Sequence, residues 1–202
     1  MDGPEIGPIR YHLGAFPPEE IDWPRLVPLI GAANANLARY DGLVAAMPNA
    51  SVLLSPLTTQ EAVLSSKIEG TNVTMGEVLE IEAGGDDEAV TQPKRDDAEE
   101  IRNYRTALRF AADALADRPL TPHLLRQAHA LLMDGVRGRD KNPGAFRDEQ
   151  NWIGPRGCPM SQANFVPIPQ EQLLTGLDQW ASYVRSKQPD PLVQLAIIHV
   201  EL

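Results

Sequence analysis

The chain has little from which to build a cross-linked, membrane-spanning or nucleic-acid-binding protein. It holds one cysteine, Cys158, in 202 residues, which excludes an internal disulfide and fits a reducing compartment. No apolar run approaches the ~20 residues of a membrane-spanning helix. No apolar segment follows a basic start, as it would in a secretion signal. The expected location is therefore cytoplasmic, with no membrane partner. Aromatic residues make up only 5% of the chain. Cations are scarce as well: 18 Lys and Arg stand against 28 Asp and Glu, for a net charge of −10. That balance argues against a general binder of nucleic acid or of an anionic membrane.

What the chain does have is Leu and Ala within an apolar content of 43%, and they recur mostly at helical spacing. The length suits one or two domains with a real core. Residues 1–20 carry Pro4, Pro8, Pro17 and Pro18 without periodicity and read as an extended arm. Asp22 can cap a helix with Pro24 in its first turn; its stripe is Leu26, Leu29, Ile30, Ala33, Leu37 and Tyr40, with Asp41-Gly42 a candidate interruption and Met47-Pro48-Asn49 its end. Ser55-Pro56 reads as the start of a helix over about 55–70, with Leu57, Leu64 and Ile68 packing and Glu61, Ser65 and Glu69 on the neighbouring polar face. Gly70 suits the left-handed position that ends a helix.

Thr74-Met75-Gly76-Glu77 is a capping box opening a short helix that stops at Gly84-Gly85. The acidic link Asp86-Asp87-Glu88 then marks the expected boundary between a region 1–90 and a region 91–202. Residues 97–116 form the cleanest helical pattern, through Ile101, Tyr104, Leu108, Ala111 and Leu115. Thr121-Pro122 caps the next helix, on which His129 reads as a core or boundary residue with one satisfied nitrogen. Arg137, Arg139, Lys141 and Arg147 form a local basic cluster in a loop-rich stretch. It is either a soluble loop with one structural arginine or an attraction for a phosphate-bearing ligand. Trp152-Ile153 and Phe165-Val166 are β-prone pieces around a long connector, read as a hairpin over about 150–168 with an edge free for another strand. The next helix turns Leu173, Leu174, Leu177, Trp180, Ala181 and Val184 inward. The last one, from Pro191, is apolar all round and reads as a central core helix. The fold class is all-α with one short β-hairpin.

Glu69 is the odd residue. A carboxylate in a last helical turn opposes the macrodipole by roughly 0.3–1 kcal/mol. A solvated surface glutamate accounts for it; so does a carboxylate compensated by an arginine from elsewhere.

Four motifs carry a resemblance. Ser65-x-x-x-Glu69-Gly70 resembles the inhibitory motif [S/T]-x-x-x-E-[G/N] of Fic proteins. Glu100 through Leu108, read with Asn103-Tyr104 and Ala107, resembles the family's E-x-x-N-Y-x-x-A-L helix. Pro143-Gly144-Ala145-Phe146-Arg147 is similar to its P-G-x-x-R turn. Asn151-Trp152-Ile153-Gly154 and Asn164-Phe165-Val166-Pro167 are similar to its flap.

The resemblance implies a Fic-type helical fold and an autoinhibited protein adenylyltransferase, which moves AMP from ATP, with Mg²⁺, to a Ser, Thr or Tyr hydroxyl of a target protein. It implies that Ser65, Glu69 and Gly70 are regulatory, with Glu69 near the ATP γ-phosphate and paired to a motif arginine. It implies that Trp152, Ile153, Gly154, Phe165 and Val166 form a flap that docks an extended target segment. Self-association into a homo-oligomer is compatible with it. The family's H-P-F-x-[D/E]-G-N-G-R-x-x-R motif, which supplies the general base, the Mg²⁺ ligand and the phosphate anchors, does not occur in these residues. No catalytic or metal-binding residue is therefore assigned to this chain, and the final core helices of the fold are expected to be missing from it. By position His199 is a packing or hydrogen-bonding residue, not the motif histidine. The competing expectations are a helical peptide-binding module without catalysis and another transfer by the same fold.

Overall fold

The computed structural model describes residues 7–68, 70–84, 90–137 and 140–202, apart from the side chains at 51 and 53. Seven α-helices occur among them: α1 (Trp23–Ala45), α2 (Ala50–Ile68), α3 (Met75–Glu82), α4 (Gln92–Asp117), α5 (Pro122–Leu132), α6 (Leu173–Arg185) and α7 (Pro191–Glu201). Two short strands, β1 (Ile9–Arg10) and β2 (Phe165–Val166), complete them. The packing divides the chain into Met1–Ala32 with Arg147–Leu202, and Ala33–Phe146. The expected boundary near residue 90 falls inside the second of these units.

In the second unit α4 packs chiefly on α5 and also on α2 and α3. Its core is Ala62, Val63, Val73, Val78, Ala98 and Ile101, with Met75, Ile81 and Tyr104 against it. Local chemistry starts the helices as expected. Thr74 and Glu77 close a reciprocal capping box on α3. Thr121 Oγ1 accepts the Leu124 amide at the head of α5.

Two faces differ from the sequence reading. On α2 the leucine stripe is outside: Leu57, Leu64 and Ile68 are exposed, and Thr59, Ala62 and Val63 are buried. On α4 the buried line runs through Asp97, Ala98, Ile101, Asn103, Ala107 and Ala114, while Leu108 and Leu115 are about half exposed. The reason is the same on both helices. Small side chains let two helix backbones approach closely, and the leucines are left to flank the contact. The start of α2 differs too. It lies at Ala50, so Pro56 is inside the helix and not at its first position. Pro56 offers no amide to the preceding turn; Thr58 and Thr59 hydroxyls bond back to the Leu54 and Ser55 carbonyls beside it. α1 likewise runs through Asp41-Gly42 and contains Pro28.

In the first unit α6 lies against α7. Trp180 is buried and its indole N–H donates to the Ile198 carbonyl at 3.0 Å. Asp190 caps α7 through the Leu192 and Val193 amides. α7 is not a central core helix among the described residues: Ile198 alone is buried, and Leu195 and Val200 are exposed, because α6 is the helix it chiefly packs on. Leu174 also points outward, and Tyr183 takes a buried place instead.

Candidate functional site

Two places carry the motifs, one in each unit. The first is the end of α2. Gly70 has φ +102°, the left-handed region. Its amide donates to the Lys67 carbonyl at 3.2 Å, and the Thr71 amide donates to the Ser66 carbonyl at 3.2 Å. These two bonds are the paired 5→2 and 6→1 closure of a Schellman turn. Glu69 lies outside the described residues. Ser65 donates its hydroxyl one turn back to Glu61 Oε1 at 2.7 Å. Tyr104 of α4 donates to the same oxygen at 2.8 Å. Partial burial, then Glu61, push the Tyr104 hydroxyl pKa up. One carboxylate thus ties α2 to α4.

Beyond the turn, the Asn72 amide donates to Asp97 Oδ2 at 2.8 Å. Arg137 forks onto Glu100 at 2.6 and 2.7 Å and reaches Asp97 at 3.4 Å. The hydrogen bonds to Glu100 push its guanidinium further up from its ordinary value. Asn103, buried on α4, gives its amide to the Asp134 and Leu132 carbonyls and so closes the end of α5. Thr71 is buried, and its hydroxyl has no partner among the described residues. A pocket of ≈ 650 Å³ opens beside Ser65, Ser66, Tyr104, Met133 and Val136.

The second place is the flap. Ile153 and Phe165 form an antiparallel bridge, each donating its amide to the other's carbonyl at 2.9 and 3.0 Å. The connector is tightly built. Trp152 donates its indole N–H to the Cys158 carbonyl, and a Cβ on Gly154 would lie 2.8 Å from Cys158 Sγ and 3.1 Å from the Ala163 Cα. Gly154 is therefore needed for close approach. Arg147 donates to the Glu149 and Ile168 carbonyls at the base of the flap. Gln150 does the same for Asn151 and Pro167, and takes the Gln170 amide.

The free edge expected of the hairpin lies on one side only. β2 has no free edge: on its far side β1 runs parallel to it, pairing Ile9 with Phe165 and Arg10 with Val166. Trp152 and Gly154 carry the edge that no partner takes among the described residues. The phosphate reading of the basic cluster is not favoured either. Arg137 and Arg147 are both occupied as described, Lys141 lies by Asp140, and Arg139 is outside the described residues.

Asp97 was not singled out from the sequence, and Glu61, Glu100 and Arg137 were read only as members of a polar face, a helix motif and a basic cluster, without the partners they have here. The N-Y pair of the α4 motif was the available signal, since both of its side chains make the cross-helix contacts above. His129 is exposed, and its Nδ1 accepts the Gly144 amide at 2.9 Å. His199 is exposed. No group of three or more His, Cys, Asp or Glu among the described residues is placed to hold a metal ion, so these residues do not fit a Mg²⁺ site. No helix among the described residues is long and apolar enough to cross a membrane.

Comparison with known proteins agrees with the motifs. Residues 27–113 match the Fic/DOC family N-terminal description, and residues 119–202 match the Fic/DOC family description. No curated protein matches the chain. Among solved structures, a Fic family protein from Desulfovibrio desulfuricans G20 is similar at 21% identity with a TM-score of 0.62. The similarity covers 92% of this chain and 52% of that one, so the chain spans about half the length of that relative. At that identity the likeness speaks for the fold, which is the Fic helical fold. With both of its halves matched in order, the chain belongs to the Fic/DOC family.

Proposed function

We propose that this chain is the inhibitory and target-docking portion of an autoinhibited Fic protein adenylyltransferase, an enzyme that transfers AMP from ATP to a Ser, Thr or Tyr hydroxyl of a cytoplasmic target protein. The observation that carries the reading is the S-x-x-x-E-G stretch at the end of α2, closed by the Schellman turn at Gly70, in a chain of the Fic/DOC family. On this reading Glu69 competes with the ATP γ-phosphate for an arginine of the catalytic motif. Ser65 steadies the last turn of α2 through Glu61, and Gly70 ends the helix just beyond the carboxylate. The chemistry of such a transfer needs positioning and charge neutralisation more than covalent help from the protein. Withholding one phosphate-binding arginine is therefore enough to hold it back. The flap contributes main-chain donors and acceptors at Trp152 and Gly154 to an extended target segment.

The test uses a protein that carries the catalytic motif. Glu69→Gly should raise the initial rate of AMP incorporation at fixed ATP by roughly one to two powers of ten, the equivalent of a coupling of about 1–3 kcal/mol. Glu69→Gln should release less, since an amide oxygen still accepts a hydrogen bond, and Ser65→Ala least. An unchanged or lower rate for Glu69→Gly would return that residue to a plain helix-end glutamate. Ile153→Pro removes the amide that donates to Phe165. It should abolish target modification while ATP binding persists; equal loss of both would reduce the flap to a structural element.

A further inference from the structure

The parallel strand β1 comes from a stretch with no β-periodicity. Its side chains are exposed, Ile9 by 69%. What joins it to β2 is main chain: the Ile9 amide donates to the Asn164 carbonyl at 3.2 Å and the Tyr11 amide to the Val166 carbonyl at 2.9 Å. Such bonds are indifferent to side-chain identity, so any extended peptide with amides two residues apart can make them. Almost no apolar burial holds the strand itself in place.

The hold comes from just beyond it. The Tyr11 hydroxyl donates to Glu201 Oε1, and His12 Nε2 lies 3.1 Å from Glu201 Oε2. The two rings lie against each other, tilted by 35° with centroids 4.5 Å apart. Further along, Phe16 is buried edge-on to Tyr183, 5.4 Å between centroids. The arm thus has a firm anchor at Phe16, a polar latch at Glu201, and a two-residue strand held by backbone alone.

We propose that the β2 edge at Asn164 and Val166 is a second peptide-docking edge of the flap, occupied in cis by residues 7–13 of the chain's own arm and opened when the latch on Glu201 lets go. An incoming extended peptide takes the place of β1 and runs parallel to β2. The proposal rests on the reading of the flap as a docking element and adds an edge and a strand direction to it. While latched, the arm competes as a tethered ligand, at an effective concentration of order millimolar for a short flexible link. A free peptide below that range is therefore kept out.

The probe is a fluorescein-labelled peptide of residues 7–13, followed by anisotropy. Three proteins are compared: the intact chain, Tyr11→Phe with His12→Ala in the intact chain, and a chain lacking residues 1–13. Circular dichroism checks the fold of each. The peptide should bind the arm-less chain at least tenfold more tightly than the intact one, with the latch variant in between. N-methylation of the peptide at its Tyr11 amide should abolish binding. N-methylation at Arg10, whose amide points away from β2 in this register, should leave it. Equal binding to intact and arm-less chains overturns the proposal. So does failure to bind both the latch variant and the arm-less chain when they are folded, or equal damage from the two N-methyl groups. Peptide failure with Ile153→Pro still blocking target modification would sink this edge and leave the flap reading standing. Peptide binding with Ile153→Pro harmless would do the reverse.

Discussion

The two units satisfy their polar groups in opposite ways. In the unit formed by residues 33–146, side chains pair mainly with side chains: Arg137 with Glu100 and Asp97, Arg105 with Glu82, Lys94 with Glu77, and Ser65 and Tyr104 with Glu61. In the unit that holds the flap, side-chain donors go mainly to main-chain carbonyls. Arg147 reaches Glu149 and Ile168, Gln150 reaches Asn151 and Pro167, Trp152 reaches Cys158, and Gln194 reaches Tyr183, Val184 and Ser186. Helices satisfy their own backbone, so their surface charges are free to find one another. Irregular chain leaves carbonyls over, and these must be met by side chains or water. Long helices fill the unit of residues 33–146, and loop fills residues 147–169 of the other. The contrast predicts different sensitivities: ion pairs respond to salt and acid, and carbonyl capture does not.

The largest effect should come from the carbonyl side. Arg147 is half-buried, and desolvation pushes its pKa down. Arg147→Met would leave the Glu149 and Ile168 carbonyls without their donor, costing about 1–3 kcal/mol. The loss, read from denaturant unfolding of the flap-bearing unit, should be the same at low and high salt. A loss that shrank with salt would break the comparison. The ion pairs should give less. Arg137 is 59% exposed, and exposed pairs are worth about 0–1 kcal/mol. Arg137→Gln should therefore destabilise only slightly, and 1 M salt should remove most of the difference.

The smallest effect is a pH dependence. Glu77 is held down to about 2 by Lys94 first and by the Thr74 amide and hydroxyl next. A depressed carboxylate stabilises above its unfolded pKa and loses that contribution as pH falls through its folded one. The capping box should thus weaken between the usual carboxylate range and about pH 2, and Glu77→Gln should flatten that part of the acid-unfolding profile. An unaltered profile would remove Glu77 from the acid response.

The elements that were legible in the sequence are those decided within a few residues. The Thr74–Glu77 box, the Thr121 cap and the Gly70 stop each bond to atoms a turn away. The buried faces of α2 and α4 were not legible, because a leucine stripe and an alanine stripe compete and the neighbour chooses between them. β1 was invisible for another reason: a strand made by main-chain bonds leaves no side-chain pattern. The regulatory reading of Glu69 came from family resemblance. The contacts of Ser65 and Tyr104 to Glu61 needed α2 and α4 to be set side by side.

The turn at Gly144 carries a consequence in another currency, time. Its amide donates to His129 Nδ1 and its carbonyl accepts from Arg126 Nε at 2.6 Å. A Cβ there would lie 3.0 Å from both Ala130 Cβ and the Arg126 carbonyl. An amide in the middle of a loop ordinarily trades its proton with water almost at once. This one is held by a ring nitrogen that can accept only while it carries no proton. Its exchange should therefore be slow for a loop position, so a single proton reports how firmly the turn is seated on α5.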